Sequence, residues 1–174
     1  MTSADETLGA AMRQAFLKQA RSDFILCQEL RNTRNPTCHW VHYLQMATEK
    51  LARAYEMDIT SNRRPAKTHA AFASFVRTSL QSSAWQKSLG YGNCTARYKA
   101  LLKRLRPLAE LTEKIAPSFA GFDRPNPEYP WQDSGSRVIA PVEHHFSDFT
   151  TAGPLVPELF HLVKCILDRD LPPL

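Results

Sequence analysis

Basic residues cluster in one short stretch of this chain, where they could bind phosphate groups. The cations of this stretch are Arg97, Lys99, Lys103, Arg104 and Arg106. Arginine and lysine contact nucleic acids mainly through phosphate oxygens, and the nearby rings of Tyr91 and Tyr98 could stack on a base. A solvated helix face, on which long aliphatic stems cover apolar surface, has the same composition. The stretch therefore predicts either a nucleic-acid-binding surface or an ordinary solvated helix face.

Histidines form the other group that could do chemistry. His39 and His42 are three residues apart, and Glu49 follows two helical turns later. A zinc site would need two more ligands, for which His144 and His145 are the candidates. Partly exposed helix histidines are the alternative, and we expect no metal site. The six glycines stand singly, so phosphate-binding glycine motifs and Gly-x-Ser-x-Gly are absent, and we expect no cofactor.

Apolar side chains recur at helical spacing in most of the segments that carry these basic residues and histidines. The clearest case is the stretch 38–57, in which Trp40, Leu44, Ala47, Leu51 and Ala54 form one apolar face. The pattern predicts an all-α fold, a bundle of four to five helices. We expect helices at residues 4–32, 36–58, 93–115 and 154–170, and a third helix that begins at residue 65 and ends after Leu80 or runs on through Trp85.

Two proline-containing segments need separate interpretation. Pro107 lies inside the fourth predicted helix and either kinks it or starts a new one. Residues 117–150 hold five prolines and six large aromatic residues, too irregular for a helix and too apolar for a disordered linker. We expect residues 117–150 to be an ordered loop that wraps the bundle, with Trp131 either lining a pocket or fixing the loop to the core.

Bulk composition is that of an ordinary globular protein. The chain has 174 residues, so we expect a single domain over residues 1–174. Its net charge of +5 permits nucleic-acid contact without requiring it. The cysteines, which form no Cys-x-x-Cys pair, are expected to be reduced core thiols: Cys27, Cys38, Cys94 and Cys165. No apolar run is as long as a membrane span, and the N-terminus is unlike a signal peptide. We expect a cytoplasmic protein with no membrane partner.

Four short motifs, taken in order, resemble those of the HEPN-type helical-bundle superfamily. The motifs are Ala20-x-x-Asp23 with Leu26 and Leu30, Gln45-x-x-x-Glu49-Lys50-x-x-x-Ala54, Thr68-His69 with Phe72 and Phe75-Val76, and Glu128-Tyr129-Pro130. The last has Glu where the family has Arg. The resemblance spans about residues 12–170 and implies a HEPN-like helical domain, with bundle helices at residues 5–116 and 154–170.

The resemblance also implies a chemistry. Many HEPN proteins are metal-independent ribonucleases whose site is an Arg, four to six residues and a His, paired across a homodimer. An Arg can hold the scissile phosphate, and a His can move the proton of the attacking 2′-hydroxyl. The candidate catalytic pairs are Arg64 with His69 and Arg137 with His144. The same spacing joins Arg63 to His69 and Arg34 to His39. His69 could instead bond a backbone carbonyl at a helix start.

Three functional interpretations follow from the residues and the resemblance. The first is a HEPN-like protein that binds or cleaves RNA, as in a toxin or defence system. The second is a non-catalytic bundle that forms a homodimer or binds a protein partner such as an antitoxin. The third is a small-molecule or nucleotide pocket between the helices and the aromatic loop. The sequence leaves open whether the protein is an enzyme.

Overall fold

The computed structural model describes residues 3–59, 71–116, 123–150 and 155–168. Its helices are α1 Ser3–Arg31, α2 Thr37–Ile59, α3 Ala71–Arg77, α4 Ser83–Ser88, α5 Thr95–Lys114, α6 Ser147–Thr150 and α7 Leu155–Asp168. Two short strands, β1 Trp131–Gln132 and β2 Val138–Ile139, pair antiparallel. The predicted all-α bundle, with a long proline- and aromatic-rich loop before its last helix, is confirmed. No helix of these residues is long and apolar enough to cross a bilayer.

Helix α2 forms the centre of the bundle. It contacts α1, α3, α5 and the 3₁₀ turn Pro141–Glu143. All five residues of its predicted apolar face are buried: Trp40, Leu44, Ala47, Leu51 and Ala54. The turn at Asn35-Pro36 separates α1 from α2, as expected, because the residue before a proline disfavours helical backbone. The two long helices therefore pack against each other.

A buried ion pair joins α1 to α2. The side chain of Asp23 is 8 % exposed, and Lys50 Nζ lies 2.5 Å from its Oδ2. Gln19 Nε2 donates to the other carboxylate oxygen, Oδ1, at 2.9 Å. A buried carboxylate requires such partners because burial removes it from water. Lys50 supplies the charge that compensates Asp23 within the helix interface.

The third predicted helix does not run on through Trp85, and its predicted start at residue 65 lies outside the described residues. Helix α3 ends at Arg77 and is followed by a 3₁₀ turn, Ser79–Gln81. Ser82 has extended backbone, and its Oγ accepts the N–H of Trp85, so it caps the new helix α4. A serine that can cap a helix competes with continuation of the preceding one. Helix α4 then ends before Gly90, whose positive φ of 85° suits glycine.

Helix α5 continues through Pro107, so no new helix begins there. Pro107 removes the backbone donor that would pair with the carbonyl of Lys103. Both residues are exposed, so water can satisfy that carbonyl. The buried side of α5 includes Leu105 and Leu108, on either side of the proline.

The segment 123–150 is ordered and packs on the bundle. It contains the β1–β2 hairpin, the 3₁₀ turn and α6. Trp131, Phe146 and Phe149 are all buried, and the rings of Trp40 and Phe149 meet edge to face at 6.1 Å. Phe149 therefore attaches this segment to α2, and Trp131 is buried in the same core beside Phe146.

The expectation of four core thiols is wrong for two of them. Cys27 and Cys38 are buried, whereas Cys94 is exposed and Cys165 partly exposed. Cys94 precedes the first residue of α5, and Cys165 lies on the flank of α7. Cys27 Sγ lies 3.2 Å from the carbonyl oxygen of Trp40, to which it donates. Burial raises the pKa of the Cys27 thiol to about 12.

The thiols should differ sharply in reactivity with Ellman's reagent. We expect rapid modification of Cys94 in the native protein and protection of Cys27 until unfolding, because the thiolate is the reactive form. The Cys94→Ser variant should lose the fast phase while the denatured wild type reacts at all four cysteines. Fast labelling of Cys27, found by peptide mass analysis, would contradict the packing of α1 on α2.

The Asp23–Lys50 pair should contribute measurably to stability. Lys50→Met leaves the Asp23 carboxylate buried without its cation, and we expect the free energy of unfolding to fall by about 3 kcal/mol. Urea unfolding followed by circular dichroism measures this change. Lys18→Met removes an exposed lysine of α1 and should change stability by less than about 0.5 kcal/mol. Equal effects of the two substitutions would show that the ion pair is energetically unimportant.

Candidate functional site

The basic residues of α5 do not form one continuous face. Successive residues of a helix are rotated by about 100°, so Arg97 and Arg104, seven residues apart, share one side. Lys99, Lys103 and Arg106 lie on another. Only the first pair lines the groove between α5 and α7. The structure thus divides the predicted phosphate-binding stretch into two groups.

The space between α5, α7 and the turn after α4, here called the α5–α7 groove, has a volume of about 420 Å³. Leu101 of α5 and Leu162 of α7 provide apolar walls, and Tyr91 adds a partly exposed aromatic ring. The polar residues of the groove are Arg97, Arg104, Glu158, His161 and Cys165. An open groove with these residues can offer both apolar and charged contacts to a ligand.

An ion pair bridges the two helices across the groove. Arg104 Nη2 donates to both carboxylate oxygens of Glu158, at 2.7 and 2.9 Å. Arg97 is exposed and forms no ion pair with the described residues. Glu158 compensates one of the two arginines, so the groove keeps a net positive charge that favours an anionic ligand.

The sequence-based prediction missed His161 and Cys165. They lie one turn apart on α7, with Cys165 Sγ 3.5 Å from His161 Nε2. Their i,i+4 spacing places them on the same flank of α7, and this flank faces Arg97 and Arg104. The spacing was visible in the sequence, but the strongly apolar character of residues 155–168 suggested only a core helix.

Tyr98 is not the base-stacking residue that the sequence suggested. It is 1 % exposed, and its Oη donates to the carbonyl oxygen of Leu80 at 2.7 Å. Burial raises the pKa of Tyr98. Tyr98 and Leu102 share the buried side of α5, which explains why the ring faces inward. Tyr91, whose ring centroid is 5.0 Å from that of Tyr98, lines the groove instead.

Arg137 and His144 have different neighbours. Arg137 is exposed near the hairpin turn, with its Nε 3.3 Å from Asp133 Oδ2. His144 packs edge-on against Trp131 and Phe146, with ring centroids 5.1 and 4.7 Å away. Burial and, to a smaller extent, the charge of His145 lower the pKa of His144. Within the described part of the chain, no hydrogen bond, ion pair or ring contact joins Arg137 to His144.

The remaining candidate pairs lie elsewhere. Arg64 and His69, like Arg63, fall outside the described residues, so their pairing stays a prediction. Arg34 and His39 are exposed near the turn between α1 and α2. Neither of these exposed residues lines the α5–α7 groove.

The histidines of α2 are not gathered into a metal site. Among residues 3–59, 71–116, 123–150 and 155–168, no three His, Cys, Asp or Glu side chains converge as metal ligands. His42 Nδ1 lies 4.0 Å from Glu128 Oε2. Burial lowers the pKa of His42, and the nearby Glu128 carboxylate opposes this shift.

The motif residues of the first two helices form ion pairs and hydrogen bonds between α1 and α2 and along α2. Asp23 pairs with Lys50, as described above. Gln45 Nε2 donates to Glu49 Oε2 at 2.8 Å, and Glu49 Oε1 lies 2.7 Å from Arg53 Nη2. These contacts give the motif residues of α1 and α2 a structural role.

No family model, curated protein sequence or solved structure matches this chain. The HEPN resemblance therefore depends on the four short motifs and on their order along the chain. The description of the α5–α7 groove does not depend on these motifs or on their order, because its geometry comes from the packing of two helices.

Proposed function

We propose that this chain is a HEPN-like RNA-binding protein of the cytoplasm and that the α5–α7 groove contacts single-stranded RNA. The observation that carries the proposal is the convergence of Arg97, Arg104 and His161 on one groove. Phosphate groups are the natural ligands of the two arginines, and the imidazole of His161 can add a hydrogen bond. Tyr91 at the same groove offers a ring on which an unpaired base can stack.

The distribution of charges favours the α5–α7 groove, rather than the whole surface of α5, as the RNA-binding site. Arg97 has no carboxylate partner within the described structure, so a phosphate can approach it without displacing an existing ion pair. Arg104 is held by Glu158, which orients its guanidinium at the groove. Lys99 and Lys103 face away and contribute mainly to long-range attraction.

If the protein is an enzyme, the family resemblance implies that it cleaves RNA as part of a toxin or defence system. This interpretation assigns phosphate binding to Arg64 or Arg137 and proton transfer to His69 or His144, as the family resemblance implies. Incubation of labelled RNA with the wild type and with His69→Ala and His144→Ala tests it directly. Cleavage that one substitution abolishes supports the assignment, whereas intact RNA after prolonged incubation leaves binding as the function.

Arg97 should determine RNA affinity. We expect Arg97→Gln to weaken binding of a short fluorescein-labelled single-stranded RNA about fivefold, because one phosphate contact is lost. Fluorescence anisotropy between about 50 and 200 mM salt should also show a logarithmic salt slope smaller by about 1.

Lys99→Gln is the matched control for Arg97→Gln. It removes the same charge from α5 two residues away, outside the groove. We expect affinity and salt slope close to those of the wild type. Equal losses in the two variants would show diffuse electrostatic attraction and would overturn the assignment of RNA to the groove.

A second candidate function, homodimerisation or binding of a protein partner such as an antitoxin, is favoured by exposed apolar residues. Tyr129, Val138 and Val142 are 49, 63 and 54 % exposed. They lie within one short segment, whereas the other large exposed apolar residues that are described, Met12 and Ile25, are in α1. A contiguous exposed apolar patch is typical of protein–protein contact surfaces, and we propose that these three side chains form one.

Dimerisation through this segment should depend on its two valines. We expect the wild type to elute as a dimer in size-exclusion chromatography with light scattering, and Val138→Lys/Val142→Lys to be monomeric. Both valines are exposed, so the fold should persist. Ile25→Lys, a comparable change on α1, should remain dimeric. A monomeric wild type, or a dimer in the double variant, would contradict this interface.

A further inference from the structure

The α5–α7 groove is small for a surface that binds a nucleic-acid strand. Its volume of about 420 Å³ lies near the lower end of the range of about 300 to 1,000 Å³ that is common for sites holding one small molecule. An OB-fold domain that follows a single strand contacts about 4 to 16 nucleotides. The groove therefore suits one nucleotide rather than a tract of several.

The cations of α5 do not extend the groove into a longer track. Arg97 and Arg104 line the groove, whereas Lys99 and Lys103 lie on another side of the same helix. A strand that leaves the groove thus meets no continuous row of cations along α5. The groove offers a single point of charge attraction, at which one phosphate group can bind.

Several N–H donors are available at this point. Arg97 forms no ion pair with the described residues. Within the described structure, only Nη2 of Arg104 bonds to Glu158, so Nε and Nη1 of Arg104 keep N–H groups for a further anion. The imidazole of His161 can supply another donor. This set of donors suits one phosphate with several acceptor oxygens.

The charge of a phosphate group decides how strongly the groove attracts it. A phosphate inside an RNA strand is a diester with one negative charge. A terminal phosphate is a monoester, which carries about −1.5 to −2 charges at neutral pH and has three acceptor oxygens. The groove keeps a net positive charge after Glu158 is counted against Arg97 and Arg104. The terminal monoester is therefore attracted more strongly than an internal diester.

The ring of Tyr91 also suits the end of a strand. Tyr91 is partly exposed at the groove, and its ring can stack on one base. The last base of a strand has a neighbour on one side only, so its other face is free to stack. An internal base would first have to separate from a neighbour, which costs free energy. The end of an RNA is thus the part that Tyr91 receives most easily.

We propose that the α5–α7 groove binds the phosphorylated end of a single-stranded RNA. The terminal phosphomonoester contacts Arg97, Arg104 and His161, and the last base stacks on Tyr91. This inference rests on the proposed RNA-binding function and adds the part of the RNA that the groove selects. The chemistry is that of a phosphomonoester, at the 5′ or the 3′ end.

Four short RNAs of one sequence test the proposal on the full chain by fluorescence anisotropy. Two carry a 3′-fluorescein and either a 5′-phosphate or a 5′-hydroxyl, and two carry a 5′-fluorescein and either a 3′-phosphate or a 3′-hydroxyl. We expect a terminal phosphate to raise affinity about fivefold over the hydroxyl at the same end. The end that shows this gain identifies the source of the monoester. Equal affinities for phosphate and hydroxyl at both ends would overturn the inference.

Arg97→Gln shows whether the gain arises in the groove. We expect this variant to lose most of the gain from a terminal phosphate, because the uncompensated cation of the groove is removed. Lys99→Gln removes the same charge outside the groove and should retain the gain. A gain that Arg97→Gln leaves unchanged, or that both variants reduce equally, would place the terminal phosphate elsewhere and overturn the inference.

The same titrations separate this inference from the proposed function. If Arg97→Gln weakens binding of the hydroxyl-ended RNAs and a terminal phosphate adds nothing, RNA binding at the groove stands and recognition of the end fails. If none of the four RNAs binds, or if Arg97→Gln and Lys99→Gln weaken all four equally, the proposed function itself fails.

Discussion

Lys50 and Asp23 meet inside the interface of the two longest helices, where either charge alone would be costly. Their pairing fixes how α2 lies against α1. Because α2 is the central helix and contacts α1, α3 and α5, its position constrains the rest of the bundle. The residues that resemble a family motif thus have a physical task that is independent of any catalytic activity.

The α5–α7 groove is a consequence of how this bundle is assembled. Helix α5 buries one side against α2 and α3, and α7 packs on α1 and α5. The ring centroids of Phe24 and Phe160 lie 5.4 Å apart. Arg21 Nε donates to the carbonyl oxygen of Leu167 at 2.9 Å. These contacts hold α7 in place. The flanks of α5 and α7 that remain outside the core then line one open space.

The segment 123–150 has a different relation to the bundle. Buried aromatic residues, Trp131 among them, attach it to the core. Asn126 is also buried, and its Nδ2 donates to the carbonyl oxygen of Ile115 just after α5. Its Oδ1 accepts the backbone N–H groups of Glu128 and Tyr129. A cavity is left where this attached segment passes the end of α5.

The apolar periodicity of the sequence determined the helical class and most helix positions, because one-sided burial follows directly from a 3.6-residue repeat. It could not determine where a local cap such as Ser82 would interrupt a helix, since competing local hydrogen bonds leave little trace in periodicity. Tyr98 and Arg97 are neighbours in sequence, yet one is buried and the other exposed. Only tertiary packing placed His161 beside Arg97 and Arg104, because residues more than 50 positions apart meet only when their helices pack.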